Sequence, residues 1–273
     1  MRTRRPEAGR RTRAAIAGAA LLLAACSAIT VSEEQQLGYQ FEQQMRREVP
    51  LLRDRLVASY LSEMGQELVE AAGPQPFVYH FYVVDAEEIN AFAGPAGHVY
   101  VHTETILRAS DASELAGVLA HEVGHVALRH IAENYNRQRG TKLGQNLLVL
   151  GAAVLGGGAV ANAAALGSSL AAVSYLNSFG REAERESDDF AVEVMAKAGW
   201  DPNGLVTFFE MLLKEPHANV PTFLSSHPAT DDRIEATRGA IAELPSTAGL
   251  RRDDGGKFEI VKRRVELLSR RRY

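Results

Sequence analysis

The residues best suited to chemistry in this chain are two histidines one helical turn apart with a glutamate directly after the first: His121-Glu122-Val123-Gly124-His125. On an α-helix, positions i and i+4 share a face, so His121 and His125 can offer two ring nitrogens to a single zinc ion. Glu122 leaves the same turn without being needed as a ligand. It is free to take a proton from a water molecule activated by the metal. The spacing predicts a zinc hydrolase and points to peptide-bond hydrolysis.

The elements that must position these groups can be read from the flanking pattern. Leu115, Val118, Leu119, Val123, Val126 and Leu128 recur among good helix formers, with Asp111 and Ser113 able to cap the start. One helix from Ala112 to Ile131 is expected. On such a continuous helix His130 lies about 180° from His121 by helical angle, which assigns it a structural role. A third ligand is still needed. The extended histidine pattern is excluded, because positions 128 and 131 would have to be glycine and histidine and are Leu128 and Ile131. A second helix starts in the acidic run from Arg181 to Phe190 and stops at Gly199. Glu184 and Asp188 are i and i+4 on it, so one can ligate zinc while the other accepts a hydrogen bond from a ligand histidine and holds its tautomer.

Five motifs occur in a fixed order: Asn90-Ala91-Phe92-Ala93, Gly97-His98-Val99-Tyr100-Val101, the stretch Leu119 to His125, Glu184-x-x-x-Asp188, and His227-Pro228 with Arg233-Ile234. Over about residues 35 to 240 the chain resembles the zinc metallopeptidases of the HtpX and CAAX-protease type, and in particular their exported branch. The family often has alanine where this chain has Ser187, a small-for-small change. The resemblance implies a zincin-like α+β domain, mostly helical with a small mixed sheet, and one zinc ion held by His121, His125 and Glu184. It implies further that the loop carrying His227 reaches the metal, where the histidine either fills the fourth position at rest or, like Arg233, serves the oxyanion. The alternating stretch His98 to His102 reads as a short strand. In peptidases of this kind it would be an open edge on which substrate pairs through His98, Val99, Tyr100 and Val101, with Asn90 holding the turn before it. Neither His98 nor His102 is expected to ligate the metal. The implied substrates are unfolded or misfolded envelope proteins, with the envelope assembly machinery as a partner.

At 273 residues, 46% hydrophobic and 23% charged, the chain can bury one full core, and it carries no internal repeat. Six of its 30 basic side chains, Arg2, Arg4, Arg5, Arg10, Arg11 and Arg13, and one of its 34 acids, Glu7, lie in residues 1–25. The remainder carries 24 basic and 33 acidic groups, near −9, which argues against nucleic acid as a partner. The basic start, the apolar stretch from Ala14 to Ala25 and the small residues at its end have the form of an export signal. Leu23-Ala24-Ala25-Cys26 resembles the lipobox of bacterial lipoproteins, and Cys26 is the only cysteine. A lone exported thiol fits a lipid tether better than a structural role, and Ser27 after it favours the outer membrane, with the protein facing the periplasm. The expected layout is a signal at 1–25, a tether and helix at 26–50, the peptidase domain at 51–245 and a basic tail at 246–273. Residues 33–72 read as one or two amphipathic helices and Phe77 to Val84 as a strand. The tail is expected as a solvated charged end, with a strand and helix around Phe258 to Val261.

Between Leu143 and Gly180 no residue is charged. A single membrane crossing there would place Glu184 on the opposite side from His121, and two crossings need about 40 apolar residues plus a turn. Packed Ala- and Gly-rich helices are the expectation. An integral membrane protease and a chaperone or scaffold with a closed site are the rival readings. An intact Glu122 argues for catalysis, because a pure binder has no use for it.

Overall fold

In the computed structural model, residues 29–138, 179–214 and 222–269 are described. The chain opens with two helices, α1 (Val31–Glu48) and α2 (Arg55–Ala71). Thr30 and Glu33 form a reciprocal capping box at the start of α1, and the Asp54 side chain caps α2. Pro50, in the link between them, has no backbone N–H to continue a helix, which is one reason the amphipathic stretch divides in two.

Three strands follow: β1 (His80–Val84), β2 (Ala91–Gly94) and β3 (His98–His102). Their spatial order is β1-β3-β2, with β1 parallel and β2 antiparallel to β3. The hairpin between β2 and β3 turns through Pro95–Gly97, where Ala96 and Gly97 both take positive φ, 58° and 94°. Glycine is required at the second of these positions, since a Cβ there would stand 2.7 Å from the Val78 carbonyl oxygen. The order corrects one expectation. The strand at 98–102 is the central one, paired on both sides, and Val99, Tyr100 and Val101 are fully buried, so it has no open edge.

Short helix α3 (Thr103–Arg108) leads into α4 (Ala112–Ala127), the centre of the molecule. Every residue of α4 from Ala112 to Val126 is buried, its apolar residues covering most faces and Ser113, Glu114, His121, Glu122 and His125 being buried with them. It packs on α6 (Arg181–Lys197), α7 (Asn203–Lys214), α2 and β2. Asp111 caps α4 through its side chain, as the sequence suggests. The far end departs from the sequence reading. The helix stops at Ala127, Arg129 turns the chain at φ 60°, and a new helix, α5 (His130–Gln138), begins.

Three further helices complete the described fold: α8 (Thr222–Ser226), α9 (Asp231–Ala242) and α10 (Lys257–Ser269). The basic tail is not a solvated end. Phe258, Val261 and Val265 of α10 join the main core, and Arg264 pairs with Asp54 at 2.8 Å. Cys26 and nearly all of the uncharged run, residues 143–178, lie outside the described residues. Among the described residues no helix is long and apolar enough to cross a membrane.

Candidate metal centre

The site forms where α4 and α6 approach most closely. A Cβ on Gly124 would meet Ser187 Oγ at 2.6 Å and Ser187 O at 3.2 Å, so glycine at this position lets the two helices touch. Ser187 Oγ then donates to the His121 carbonyl at 2.6 Å and ties α6 to the ligand turn. This contact brings Glu184 and Asp188, one turn apart on α6, beside His121 and His125. His227 arrives from the other side. Its N–H continues α8 by donating to Phe223 O at 2.7 Å, while Phe223 N–H is held by Ile89 O just before β2.

His121 Nε2 lies 3.1 Å from His125 Nε2 and 3.2 Å from His227 Nδ1. His227 Nδ1 is 2.9 Å from Glu184 Oε1, and Glu184 oxygens stand 3.5 and 3.6 Å from His121 Nε2 and His125 Nε2. Tetrahedral donors about 2.0–2.1 Å from a common zinc stand about 3.3 Å from one another. The separations found here, 2.9 to 3.6 Å, bracket that value, and the four donors all lie within 4.8 Å of one another.

Charge gives a second test of fit. Glu122, Glu184 and Asp188 are all buried, and the buried cation among them is Arg233 on α9. Its Nη1 lies 2.8 Å from Glu184 Oε2, and its Nε and Nη2 hold Asp188 at 2.5 and 2.8 Å. Three carboxylates against one guanidinium leave two negative charges, which a divalent cation neutralises. Without metal the imbalance falls on His121: burial opposes its protonation, but Asp188 and Glu184 outweigh burial and lift it to about 9. His125 moves the other way, pushed well down by burial and by the neighbouring His121. Burial likewise opposes ionisation of Glu184, yet the imidazoles of His227, His121 and His125 hold it far below the usual carboxylate range. The donor set fits zinc.

Asp188 Oδ1 lies 2.9 Å from His121 Nδ1, which leaves Nε2 for the metal. Of the two acids left open by spacing, Glu184 therefore sits among the donors and Asp188 behind them. Glu122 is fully buried, its carboxylate is approached by the Ala93 backbone N–H, and His227 Nε2 is 3.5 Å from Oε1. Burial raises its pKa, offset in part by His227 and His121. Arg233, committed to two carboxylates and stacked 4.5 Å over Phe209, is placed to hold the third ligand.

The β3 residues stand apart from this cluster. His98 stacks on His80 and Tyr82, Tyr100 stacks on Tyr82 and Phe92, and Val99 and Val101 face the core. Asn90 stands directly before β2 and not in the turn before the strand at 98–102, which is Pro95–Gly97; its backbone N–H donates to Thr105 Oγ1 at 2.9 Å and its carbonyl accepts from His102 N–H at 3.0 Å. By the alternation of an antiparallel ladder, the Ala91 and Ala93 backbone groups then point away from β3, on the side of β2 that pairs with no described strand, and both residues are buried. The Ala93 amide lies on the Glu122 side. Sequence reasoning missed His130. It contacts His125 directly, Nδ1 to Nδ1 at 3.0 Å, because the break at Arg129 turns it back. Neither glycine nor proline marks that break.

Two imidazoles and a carboxylate from two packed helices, a buried glutamate beside them and a small mixed sheet at their side define a zinc metallopeptidase of zincin-like fold. Residues 55–241 match the model of peptidase family M48, and the chain belongs to that family. It is 32% identical over 228 residues to the beta-barrel assembly-enhancing protease of Escherichia coli (strain K12), covering 80% of this chain and 46% of the relative. It is 29% identical over 185 residues to metalloprotease LoiP of the same organism, 68% of this chain and 71% of the relative. With metalloprotease YcaL, also from that organism, it shares 28% identity over 193 residues, 68% and 73% of the two chains. The chain thus spans about half the length of the beta-barrel assembly-enhancing proteases it matches.

Proposed function

We propose that this chain is a zinc-dependent endopeptidase that cuts unfolded or stalled proteins of the bacterial envelope, with His227 restraining the site at rest. The observation that carries the reading is the buried quartet His121, His125, Glu184 and His227 with the buried Glu122 carboxylate beside it. When bound, zinc polarises the scissile carbonyl and makes water a nucleophile at neutral pH. Glu122 takes the proton from the attacking water and returns it to the leaving amine, a role that its raised pKa suits. Asp188 and Arg233 keep the ligand side chains in place. Once the loop carrying His227 has moved away, an extended substrate pairs with the outer side of β2 at Ala91 and Ala93, next to Glu122 and buried at rest, instead of with the strand at 98–102.

The envelope assignment rests on the signal-like segment, on the lipobox-like end at Cys26 and on relatives one of which is named for β-barrel assembly. These support tethering to the outer membrane on its periplasmic side and contact with the assembly machinery there. A scaffold without catalysis would not need a carboxylate buried at Glu122 beside the donors.

The test is metal analysis together with casein digestion. Glu122→Gln should keep zinc and lose hydrolysis by about two to four orders of magnitude, since it removes the base and not a ligand. Glu184→Ala should lose the metal. Wild-type rates in the zinc-loaded Glu122→Gln protein would sink the catalytic reading.

A further inference from the structure

His130 is not among the metal donors, and the assignments of H-E-x-x-H leave it without work. Its surroundings are nevertheless specific. The ring lies 3.0 Å from His125 through Nδ1 on each side, and its Nε2 stands 3.0 Å from Glu186 Oε2 on α6. Both rings are buried, whereas the Glu186 side chain is 56% exposed, so the chain of contacts runs from the donor cluster to the surface. Phe179 stacks on His125 at 4.0 Å and packs beside His130.

Two ring nitrogens 3.0 Å apart share one proton, so one donates and the other accepts. His125 presents Nε2 to His121 and Glu184. To ligate a metal that nitrogen must be bare, and the neutral ring then carries its proton on Nδ1. His130 Nδ1 must therefore accept, which leaves the His130 proton on Nε2, where the Glu186 carboxylate takes the hydrogen bond. Each proton between Glu186 and the donor cluster has a single allowed place.

We propose that His130, backed by Glu186, is a positioning residue that locks His125 in the tautomer and ring orientation that hold the metal. His121 has the same service from Asp188, directly. The break after Ala127 has a purpose in this light: on a continuous helix His130 would face away, and the left-handed turn at Arg129 brings its acceptor back onto the second ligand. The proposal rests on the reading of this site as a zinc centre.

The experiment measures zinc loss to a chelator from the zinc-loaded full chain. His130→Asn puts an amide oxygen near the old Nδ1 position, where it can accept from His125. His130→Gln, of similar size, puts its polar atoms near the old Nε2 position and leaves the His125 proton unmatched. His130→Gln and His130→Ala should release zinc about 10- to 100-fold faster than wild type, with His130→Asn restored to within about threefold. The metal-free Asn and Gln variants should melt alike, which a merely structural histidine would not reconcile with different zinc release. Glu186→Ala, at a surface position that tolerates truncation, should speed release in the same direction by a smaller factor. Equal release from the Asn and Gln variants, or wild-type release from the Gln variant or from Glu186→Ala, overturns the proposal. Long-range proton–nitrogen spectra of the zinc-loaded wild type, labelled at histidine, need no variant to fold. They should place the proton on Nδ1 of His125 and Nε2 of His130, and a proton on Nδ1 of His130 overturns it as well. A wild type that takes up no zinc would instead overturn the metal reading itself.

Discussion

In the proposed function, His227 sets the resting state of the site. Its Nδ1 stands among the donors, 2.9 Å from Glu184 and 3.2 Å from His121, in the place where a catalytic water would bind. A fourth protein donor closes a site of the kind that hydrolases keep open. Opening it requires the loop after α8 to leave, and that cost reduces the fraction of molecules competent at any moment. His227→Ala should therefore raise basal cleavage of an unfolded substrate. If the histidine served the oxyanion instead, the same change would slow cleavage by about ten- to a thousandfold. Steady-state kinetics of the two proteins separate these outcomes, and unchanged rates would sink both roles. At this scale the sequence was most readable where chemistry is local. The i, i+4 spacings of His121 with His125 and of Glu184 with Asp188 hold in the structure, because a helix carries its spacing with it. His130 was not readable, since its direction depends on a left-handed residue that no glycine announces.

Helix α4 and helix α6 make the site only because they touch, and that contact depends on two small residues. Gly124 has no room for a methyl group: Ser187 Oγ at 2.6 Å could swing aside, but the Ser187 carbonyl at 3.2 Å belongs to the backbone and moves only with the helix. Gly124→Ala should therefore cost about 1–3 kcal/mol through overpacking, despite the better helix propensity of alanine. Ser187→Ala removes the hydroxyl and the hydrogen bond to His121 O, so combining it with Gly124→Ala should be less damaging than the sum of the two changes. Urea unfolding of the two single variants and the double variant reads the coupling; strict additivity would mean that the helices accommodate the methyl elsewhere. The elements themselves were largely legible from period and caps, with Asp111 the clearest case. Strand order was not. Alternation along 98–102 is the same whether that strand is central or at an edge, and only long-range pairing with β1 and β2 decides it. The tail misled for a related reason. Nine basic residues from Arg251 onward mask the Phe258, Val261 and Val265 stripe that α10 turns inward.

The whole molecule places a buried metal centre in a domain whose N-terminal helix begins five residues after the single cysteine. Ile29, three residues past Cys26, is already docked: its N–H meets Asn136 Oδ1 on α5 at 3.2 Å, and Arg129 reaches back to its carbonyl at 2.8 Å. Arg129 also pairs with the buried Glu34 of α1 at 2.9 Å, so the start of the domain is fastened to the turn that follows the ligand helix. A lipid on Cys26 would accordingly leave little slack between the membrane surface and this side of the fold, since two or three residues span at most about 10 Å. The net charge of the chain after residue 25, near −9, offers no electrostatic attraction to anionic lipid. Under the proposed tethering, the lipid chains supply the membrane affinity, at about 0.8 kcal/mol for each buried methylene. Cys26→Ser should abolish lipid labelling and move the protein from the membrane fraction to the soluble periplasmic fraction, with casein cleavage retained because no ligand is touched. Cell fractionation with a salt wash reads the result. If the unlabelled variant stays tightly bound after the wash, the tether is not the anchor, and the uncharged run between Leu143 and Gly180 becomes the segment to delete next.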